Sequence, residues 1–140
     1  MANIIPTAFK TELLSGTHNF ANGGNSFKLA LYTSNPYDAT STVFSGTNEV
    51  SSSGTSYPAG GQALDSQAVA ATSTTGHVDF ADETFASVTL TAAFAAIYND
   101  TNSDKLCLVL DFGGNKTATN GDFVVQFPTA NASDAIIRIA

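Results

Sequence analysis

The sequence predicts an all-β fold: an antiparallel β-sandwich, jelly-roll or immunoglobulin-like, with a short N-terminal helix. Apolar and polar residues alternate over several short runs, turn-forming residues separate most of these runs, and strands do not alternate with helices along the chain. The length of 140 residues fits one domain. No linker divides the chain, so residues 1–140 are expected to fold as one unit.

A short helix is predicted over residues 8–15, within an N-terminal arm that covers residues 1–20. Phe9 and Leu13 are four residues apart and share one helix face. Thr7 is a suitable N-cap and Gly16 a suitable C-terminal stop. A helix of about two turns is not stable alone in water. We therefore expect it to pack against its own sheet or against a neighbouring subunit.

The strand predictions follow the alternation of apolar and polar residues, and they cover residues 27–32, 77–80, 92–98, 106–112, 123–127 and 136–139. Turn signals predict how some of these strands connect. The polar stretch 99–104 is typical of a hairpin loop, and Gly113-Gly114 is expected to interrupt the ladder after residue 112. Asn120-Gly121 predicts a tight turn ahead of the strand at 123–127.

Residues 33–61 form a long segment in which Gly, Ser, Thr and Pro replace most apolar residues. A loop of this length inside a compact domain is often functional. It is interpreted either as an arm or binding loop that contacts a partner, or as a solvated surface excursion. A short strand near residues 47–50 is compatible with both interpretations.

Charged residues make up only 12% of the chain, whereas it contains eighteen Thr, fourteen Ser and eleven Asn. The surface is therefore expected to be rich in hydroxyl and amide groups. The net charge of −7, with five scattered basic residues, argues against nucleic-acid binding and against an anionic membrane surface. No apolar run is long enough for a transmembrane helix, and no N-terminal leader pattern is visible.

One metal-binding pattern deserves weighing, although no cofactor or metal is expected. Asp100, Asn102 and Asp104 match the opening of an EF-hand loop, and they are a weak calcium candidate. Lys105 occupies the position where that loop requires glycine, and a strand pattern follows instead of ligands. The favoured interpretation is a polar β-turn in which Asn and Asp bond their own backbone.

Candidate catalytic residues are sparse, and the chain is predicted not to be an enzyme. Asp79, Asp82 and Glu83 cluster at the end of a strand, where acidic side chains are normally solvated. His18 is expected to bond backbone groups after the helix. Cys107 is the single cysteine, and it lies in the strongest apolar run, which favours a buried, unreactive thiol.

Much of the chain resembles a family of small virion structural proteins of tailed bacteriophages. The resemblance is carried by FKTELLSGTHNF (9–20), FKLALYT (27–33), YPAGG (57–61), VDFAD (78–82), AIYN (96–99), VLDFG (109–113), FPTA (127–130) and AIIRIA (135–140). It implies a component of the virion, with the major capsid protein or other virion proteins as partners. It assigns no functional residues.

Two roles in a virion follow from this resemblance. The first is a capsid decoration or cement protein on the shell, and the second is a tail, collar or fibre module whose loops touch a host glycan or protein. A hydrolase on a β-sandwich has little support. Both chain ends are apolar, so we expect at least one terminus at a subunit contact, and a homo-oligomer. The predicted interface residues are Ile4, Ile5, Phe9, Leu13, Tyr37, Phe44, Tyr57, Ile137 and Ile139.

Overall fold

The computed structural model describes residues 3–140; the predicted N-terminal arm extends beyond this range by two residues. The elements in chain order are α1 (Thr7–Leu14), β1 (Phe27–Tyr32), β2 (Gln62–Ala63), β3 (Ala68–Thr72), β4 (Thr75–Asp79), β5 (Glu83–Asn99), β6 (Lys105–Val125) and β7 (Ile137–Ile139). All strand pairs are antiparallel. The predicted all-β fold with a short N-terminal helix is confirmed.

The strands form two sheets with the orders β2-β1-β5-β6 and β3-β4-β7. One apolar cluster joins them, because Leu29 and Ile97 of the first sheet belong to the same core as Val78 and Ile137 of the second. The two sheets thus form a sandwich-like arrangement. Their strand order differs from that of the immunoglobulin constant domain, and the described residues form one strand fewer than a jelly roll.

The helix prediction is correct within one residue at each end. Helix α1 begins at Thr7 with Pro6 as its N-cap, so Thr7 is the first helical residue and not the cap. Gly16 follows the helix with φ +78°, and its N–H donates to the carbonyl of Leu13. Glycine adopts this left-handed conformation at little cost, which explains the stop. Phe9 is the buried residue of the helix.

Strands β5 and β6 form a long hairpin, and the polar loop between them lies where it was predicted. The tight turn predicted at Asn120-Gly121 is wrong, since β6 continues through both residues. Val88 pairs with Gly121 and Leu90 pairs with Ala118, so one residue of β5 faces two of β6. Asn120 has φ +47° and occupies this β-bulge.

A larger irregularity occurs at Gly113-Gly114, where the predicted break in the ladder is a β-bulge of several residues. Ala92 pairs with Lys116 and Phe94 pairs with Asp111, so a single residue of β5 faces four of β6. Both glycines have positive φ, +79° and +148°. Bulges increase the local twist and bend a strand. The hairpin is therefore strongly curved.

The four-stranded sheet is buried on both faces. Its outer face carries a second apolar cluster that contains Ala30, Tyr32 and Tyr98, and the segment 33–61 covers this face with Tyr37 and Phe44. Within this segment the predicted strand near residues 47–50 is reduced to a single bridge between Tyr32 and Glu49. The segment therefore packs on the sheet through these side chains, while most of its other residues are exposed.

The N-terminal arm also packs on its own chain. Ile4 forms an isolated antiparallel bridge with Val109 of β6, with N···O distances of 3.0 and 2.8 Å. Backbone groups that pair in this way are unavailable to another chain. Of the two termini, the C-terminal one is therefore better placed for an external contact.

No helix within residues 3–140 is long and apolar enough to cross a membrane.

Candidate contact surface

A groove between helix α1 and strand β7 brings together five of the nine predicted interface residues. We call it the α1–β7 groove; it measures about 290 Å³, and its lining includes Ile5, Phe9, Leu13, Ile137 and Ile139. These residues come from the two ends of the sequence. They meet because β7 adds to β4 and the helix lies beside it, with Phe9 and Ile137 in the shared core.

A second groove adjoins the first, and the two share Leu13, Ile137 and Ile139. We call it the β3–β4 groove; it measures about 360 Å³ and is lined by Val69 and Val78 of the three-stranded sheet, together with both histidines of the chain. Its other walls come from the loop after α1, including Phe20. The two grooves therefore form one continuous concave face.

This face concentrates exposed apolar side chains. Leu14 is 89% exposed, Ile139 61%, Val69 57% and Ile5 41%, and all four line one of the two grooves. Within residues 3–140, the other large apolar side chains with such exposure are Val43 and Val124. Single exposed apolar residues are ordinary on soluble proteins, but a contiguous apolar patch marks an interaction surface.

Two of the chain's five basic residues, Lys10 and Arg138, line the α1–β7 groove. Arg138 donates from its guanidinium to the carbonyl of Ala132 at 2.8 Å, which holds its side chain near the groove. On a chain of net charge −7, this face is therefore locally less acidic than the rest. Basic residues at the edge of an apolar surface favour a partner with acidic groups.

The remaining interface candidates lie elsewhere and pack within the chain. Tyr37 is buried, with its hydroxyl 2.6 Å from that of Tyr32, and Tyr57 is buried with its hydroxyl donating to Glu49. Phe44 packs on the ring of Tyr98 at 4.6 Å between centroids. Like Phe9 and Ile137, the two tyrosines are buried core residues, but unlike them they line neither groove.

Sequence reasoning missed Leu14, Val69, Lys10 and Arg138. Leu14 lies one residue beyond Leu13, on the exposed side of a helix too short to show a clear periodicity. Val69 lies on β3, whose Ala- and Thr-rich sequence gives little alternation of apolar and polar residues. An uncharged stretch between two turn-forming segments was the available signal for this strand.

A buried polar network lies behind the helix, around His18. Its Nε2 is 3.1 Å from Glu12 Oε1, its Nδ1 is 3.0 Å from Asn99 Nδ2, and Cys107 Sγ lies 3.7 Å from the same Nδ1. Lys105 Nζ forms an ion pair with the other oxygen of Glu12 at 2.9 Å. The expectation that His18 bonds backbone groups is therefore wrong, since its partners are side chains.

The orientation of Asn99 fixes the tautomer of His18. Asn99 Oδ1 accepts the backbone N–H groups of Thr101 and Asn102, each at 3.1 Å. Its amide nitrogen must then face His18, and a donor at that position requires an unprotonated Nδ1. The proton of the neutral ring is therefore on Nε2, from which it is donated to Glu12.

Side-chain contacts run from the thiol of Cys107 to the base His18 and from there to the acid Glu12. Because Cys107 and His18 are buried, a substrate cannot reach the thiol or the base. Cys107 is 0% exposed, and it is the extra residue where the β5–β6 pairing shifts between Ile97 and Tyr98. Burial, reinforced by the charge of Glu12, raises the pKa of the thiol far above its ordinary value. A nucleophile needs a thiolate and an accessible site, so the network is read as part of the core.

Glu12 itself is held in its charged form. Burial alone would raise the pKa of Glu12, but hydrogen bonds and charges from His18 and Lys105 together lower it below the ordinary value. The ion pair joins helix α1 to the start of β6, next to the hairpin loop. The network thus fixes the position of the helix and, with it, one wall of both grooves.

Two side chains of the weak calcium candidate in the hairpin loop, Asp100 and Asn102, contact other segments of the chain. Asp100 Oδ1 lies 3.8 Å from Lys28 Nζ, and the amide of Asn102 donates to the carbonyl of Thr17. Across the described part of the chain, no group of three His, Cys, Asp or Glu side chains is arranged to hold a metal ion. In this loop the local backbone N–H groups of Thr101 and Asn102 are accepted by Asn99, whereas Asp100 and Asn102 contact other segments of the chain.

The acidic residues at the end of β4 were predicted to be solvated, and this is wrong for Glu83. This residue begins β5 and is only 7% exposed, where it accepts a hydrogen bond from Gln62. Burial raises the pKa of Glu83 and nearby Asp65 adds to the effect, while the bond from Gln62 opposes it. Asp82 accepts the backbone N–H of Phe127 at 2.9 Å and so anchors the chain after β6.

A separate cleft, not predicted from the sequence, lies in the bend of β6. Its volume is about 400 Å³, and its lining includes Phe112, Phe123, Lys116, Asp122 and Gln126. The rings of Phe112 and Phe123 are 6.0 Å apart, although a straight strand would separate these residues by roughly 36 Å. The cleft therefore exists because the bulges fold the strand back on itself.

Comparison of the chain with models of protein families, with curated proteins and with solved structures gave no match.

Proposed function

We propose that this chain is a non-enzymatic structural component of a tailed-phage virion, a capsid decoration or cement protein that binds the shell surface. The observation that carries the proposal is the continuous face of the α1–β7 and β3–β4 grooves, where the exposed apolar side chains of the chain are concentrated. The resemblance to small virion proteins and the low content of charged residues support the same role.

The proposed contact is apolar at its centre and electrostatic at its edge. Burying the exposed part of each side chain would contribute up to about 3 kcal/mol for Leu14 and less for Ile139, which is already partly buried. Lys10 and Arg138 would face acidic groups of the major capsid protein or of another virion protein. Such a contact is modest for one copy, but a lattice offers the same site many times, and linked copies gain avidity without new contacts.

Ile139→Glu is expected to reduce binding to virus shells at least tenfold while leaving the fold intact. Ile139 is 61% exposed, so a carboxylate there costs little in the free chain but must be desolvated in an apolar contact. The measurement is co-sedimentation of the purified chain with particles that lack it. Val43→Glu is the matched control, because Val43 is 47% exposed and lies outside both grooves. Equal binding by the two variants would refute the assignment of this face.

A tail, collar or fibre module is the second candidate, and the cleft in β6 is the observation that favours it. Apolar rings beside Lys116, Asp122 and Gln126 suit an amphipathic ligand such as a surface glycan. Two phenylalanine rings would contact the apolar face of a sugar, and the polar side chains would bond its hydroxyl groups.

Copy number separates the two candidates. A decoration protein is expected on the order of hundreds of copies in each virion, because it follows the symmetry of the shell. A tail or collar module is expected at a few to a few tens of copies. Quantitative mass spectrometry of purified virions, with the major capsid protein as the internal standard, measures this ratio. A low ratio together with glycan binding by the isolated chain would favour the second candidate.

A further inference from the structure

Strand β3 is an open edge of the three-stranded sheet without the usual protection against pairing. All five of its residues, Ala68–Thr72, are exposed, and none is charged or a proline. Its pairing with β4 runs without a bulge from Ala68–Asp79 to Thr72–Thr75. Soluble proteins normally interrupt such edges with charges, prolines or bulges, because a regular free edge offers hydrogen bonds to another strand.

The other sheet edges in residues 3–140 carry such protection. Strand β7 has Arg138 at its centre, and β2 is only two residues long. The outer edge of β6 is bridged by Ile4 at Val109 and by Val43 at Lys105, and further along it is distorted by the bulges already described. Within residues 3–140, strand β3 is therefore the regular, uncharged strand edge that remains without a partner strand.

The hairpin geometry tells which backbone groups of β3 point outward. Ser73 and Thr74 form a two-residue turn, and the residues that flank such a turn, Thr72 and Thr75, exchange hydrogen bonds. Bonding alternates along the strand, so Ala70 bonds to β4. The N–H and C=O groups of Val69 and Ala71 then face away from the sheet and toward any added strand.

We infer that two copies of this chain pair through β3, antiparallel and about a twofold axis at Ala70. In this register Val69 bonds with Ala71 of the partner subunit and Ala71 with the partner's Val69. A twofold contact must be self-complementary, and this edge places no like charges opposite each other and only a methyl group at the axis. The two three-stranded sheets would become one sheet of six strands.

The surroundings of β3 extend the contact beyond hydrogen bonds. Val69 is 57% exposed and lines the β3–β4 groove, so an added strand would cover both this side chain and part of that groove. The strand edge alone is smaller than the roughly 1,200 Å² of a stable interface. Each copy also carries a net charge of −7. The pairing is therefore weak in dilute buffer and strengthens as salt screens the repulsion.

An engineered disulfide tests this register directly. Ala70→Cys places two thiols opposite each other at a non-hydrogen-bonded pair, where the separation suits a disulfide. Ala68→Cys is the matched control, because it lies on the same face and is also exposed, yet its twofold mate is roughly 14 Å away. The native Cys107 is buried and is present in both variants.

The expected result is that the Ala70→Cys variant forms a covalent dimer at least tenfold faster than Ala68→Cys under mild oxidation, and faster still at higher salt. Adding Ala71→Pro, which removes an outward N–H, should slow the dimerisation of Ala70→Cys to the control rate. Circular dichroism of each variant shows that it is folded. Equal rates for the two single variants would overturn the inference. The isolated chain is used, so this outcome is independent of binding to a virion.

Discussion

Replacing Gly61 by alanine is expected to destabilise the chain by more than about 4 kcal/mol, which is a large part of the stability of a domain this size. A Cβ atom at this position would lie 1.9 Å from the carbonyl oxygen of Leu29 and 2.8 Å from the Cα of Ala30. Both atoms belong to the backbone of β1, which is held in the centre of the sheet by β5. The clash cannot be relieved without moving that strand.

Two neighbouring glycines separate this clash from the cost of backbone conformation. Gly54 has φ +71° and no atom within 4 Å of its added Cβ, and Gly60 has φ +84° with only the hydroxyl of Tyr98 at 3.4 Å. Alanine at either position is strained by about 1–2 kcal/mol because it must adopt a left-handed conformation. Urea denaturation of the three variants measures the difference. A similar loss in all three would mean that conformation, and not close packing, explains Gly61.

The sequence predicted strands within β1, β4, β5, β6 and β7, although it divided β6 into two strands and missed β2 and β3. It did not show which faces of the strands are buried. Residues 27–32 alternate as a strand with one polar face would, yet Ala30 and Tyr32 on that face are as deeply buried as Leu29 and Leu31. The reason is the segment 33–61, whose few aromatic residues cover the sheet. Its composition is that of a surface loop, and its packing depends on contacts with residues distant in sequence.

Turn signals failed where the partner strand decides the structure. Asn-Gly favours positive φ, and both a tight turn and a β-bulge require it. Strand β6 stays paired with Val88 and Leu90 of β5 on both sides of Asn120. The same local preference therefore produces a bulge. No pattern within a few residues of Asn120 distinguishes the two outcomes.

The candidate surface was predictable in its parts but not as a whole. The apolar termini suggested a subunit contact at one end of the chain or the other, and the side chains of α1 and β7 meet in one groove. Ile4, however, is used within its own chain, and β3 was not predicted as a strand. These outcomes depend on which strand edges find a partner in the folded chain, and that is a property of the sheet topology.

Asn99→Ala is expected to cost about 3–5 kcal/mol, because it removes the centre of the buried polar network. Asn99 is 0% exposed, and its amide bonds His18, Asn25 and the backbone N–H groups of Thr101 and Asn102. Alanine would leave the buried ring of His18 without this donor, and the half-buried Asn25 and Asn102 and the exposed Thr101 would lose the same partner. Loss of a buried partner costs more than the net contribution of the bond itself, since the remaining groups stay desolvated.

The same variant also tests the assigned tautomer of His18. This second measurement separates the specific role of Asn99 from a general loss of stability. In the native chain Asn99 donates to Nδ1, so the proton is held on Nε2 and bonded to Glu12. Without that donor the ring is free to exchange tautomers, and the nitrogen-15 signals of His18 should shift toward a mixture. Exposed Asn115→Ala is the control, expected within about 0.5 kcal/mol of the native stability. If Asn99→Ala behaves like this control in denaturation, or leaves the His18 signals unchanged, the network does not hold the hairpin loop to the helix as its geometry indicates.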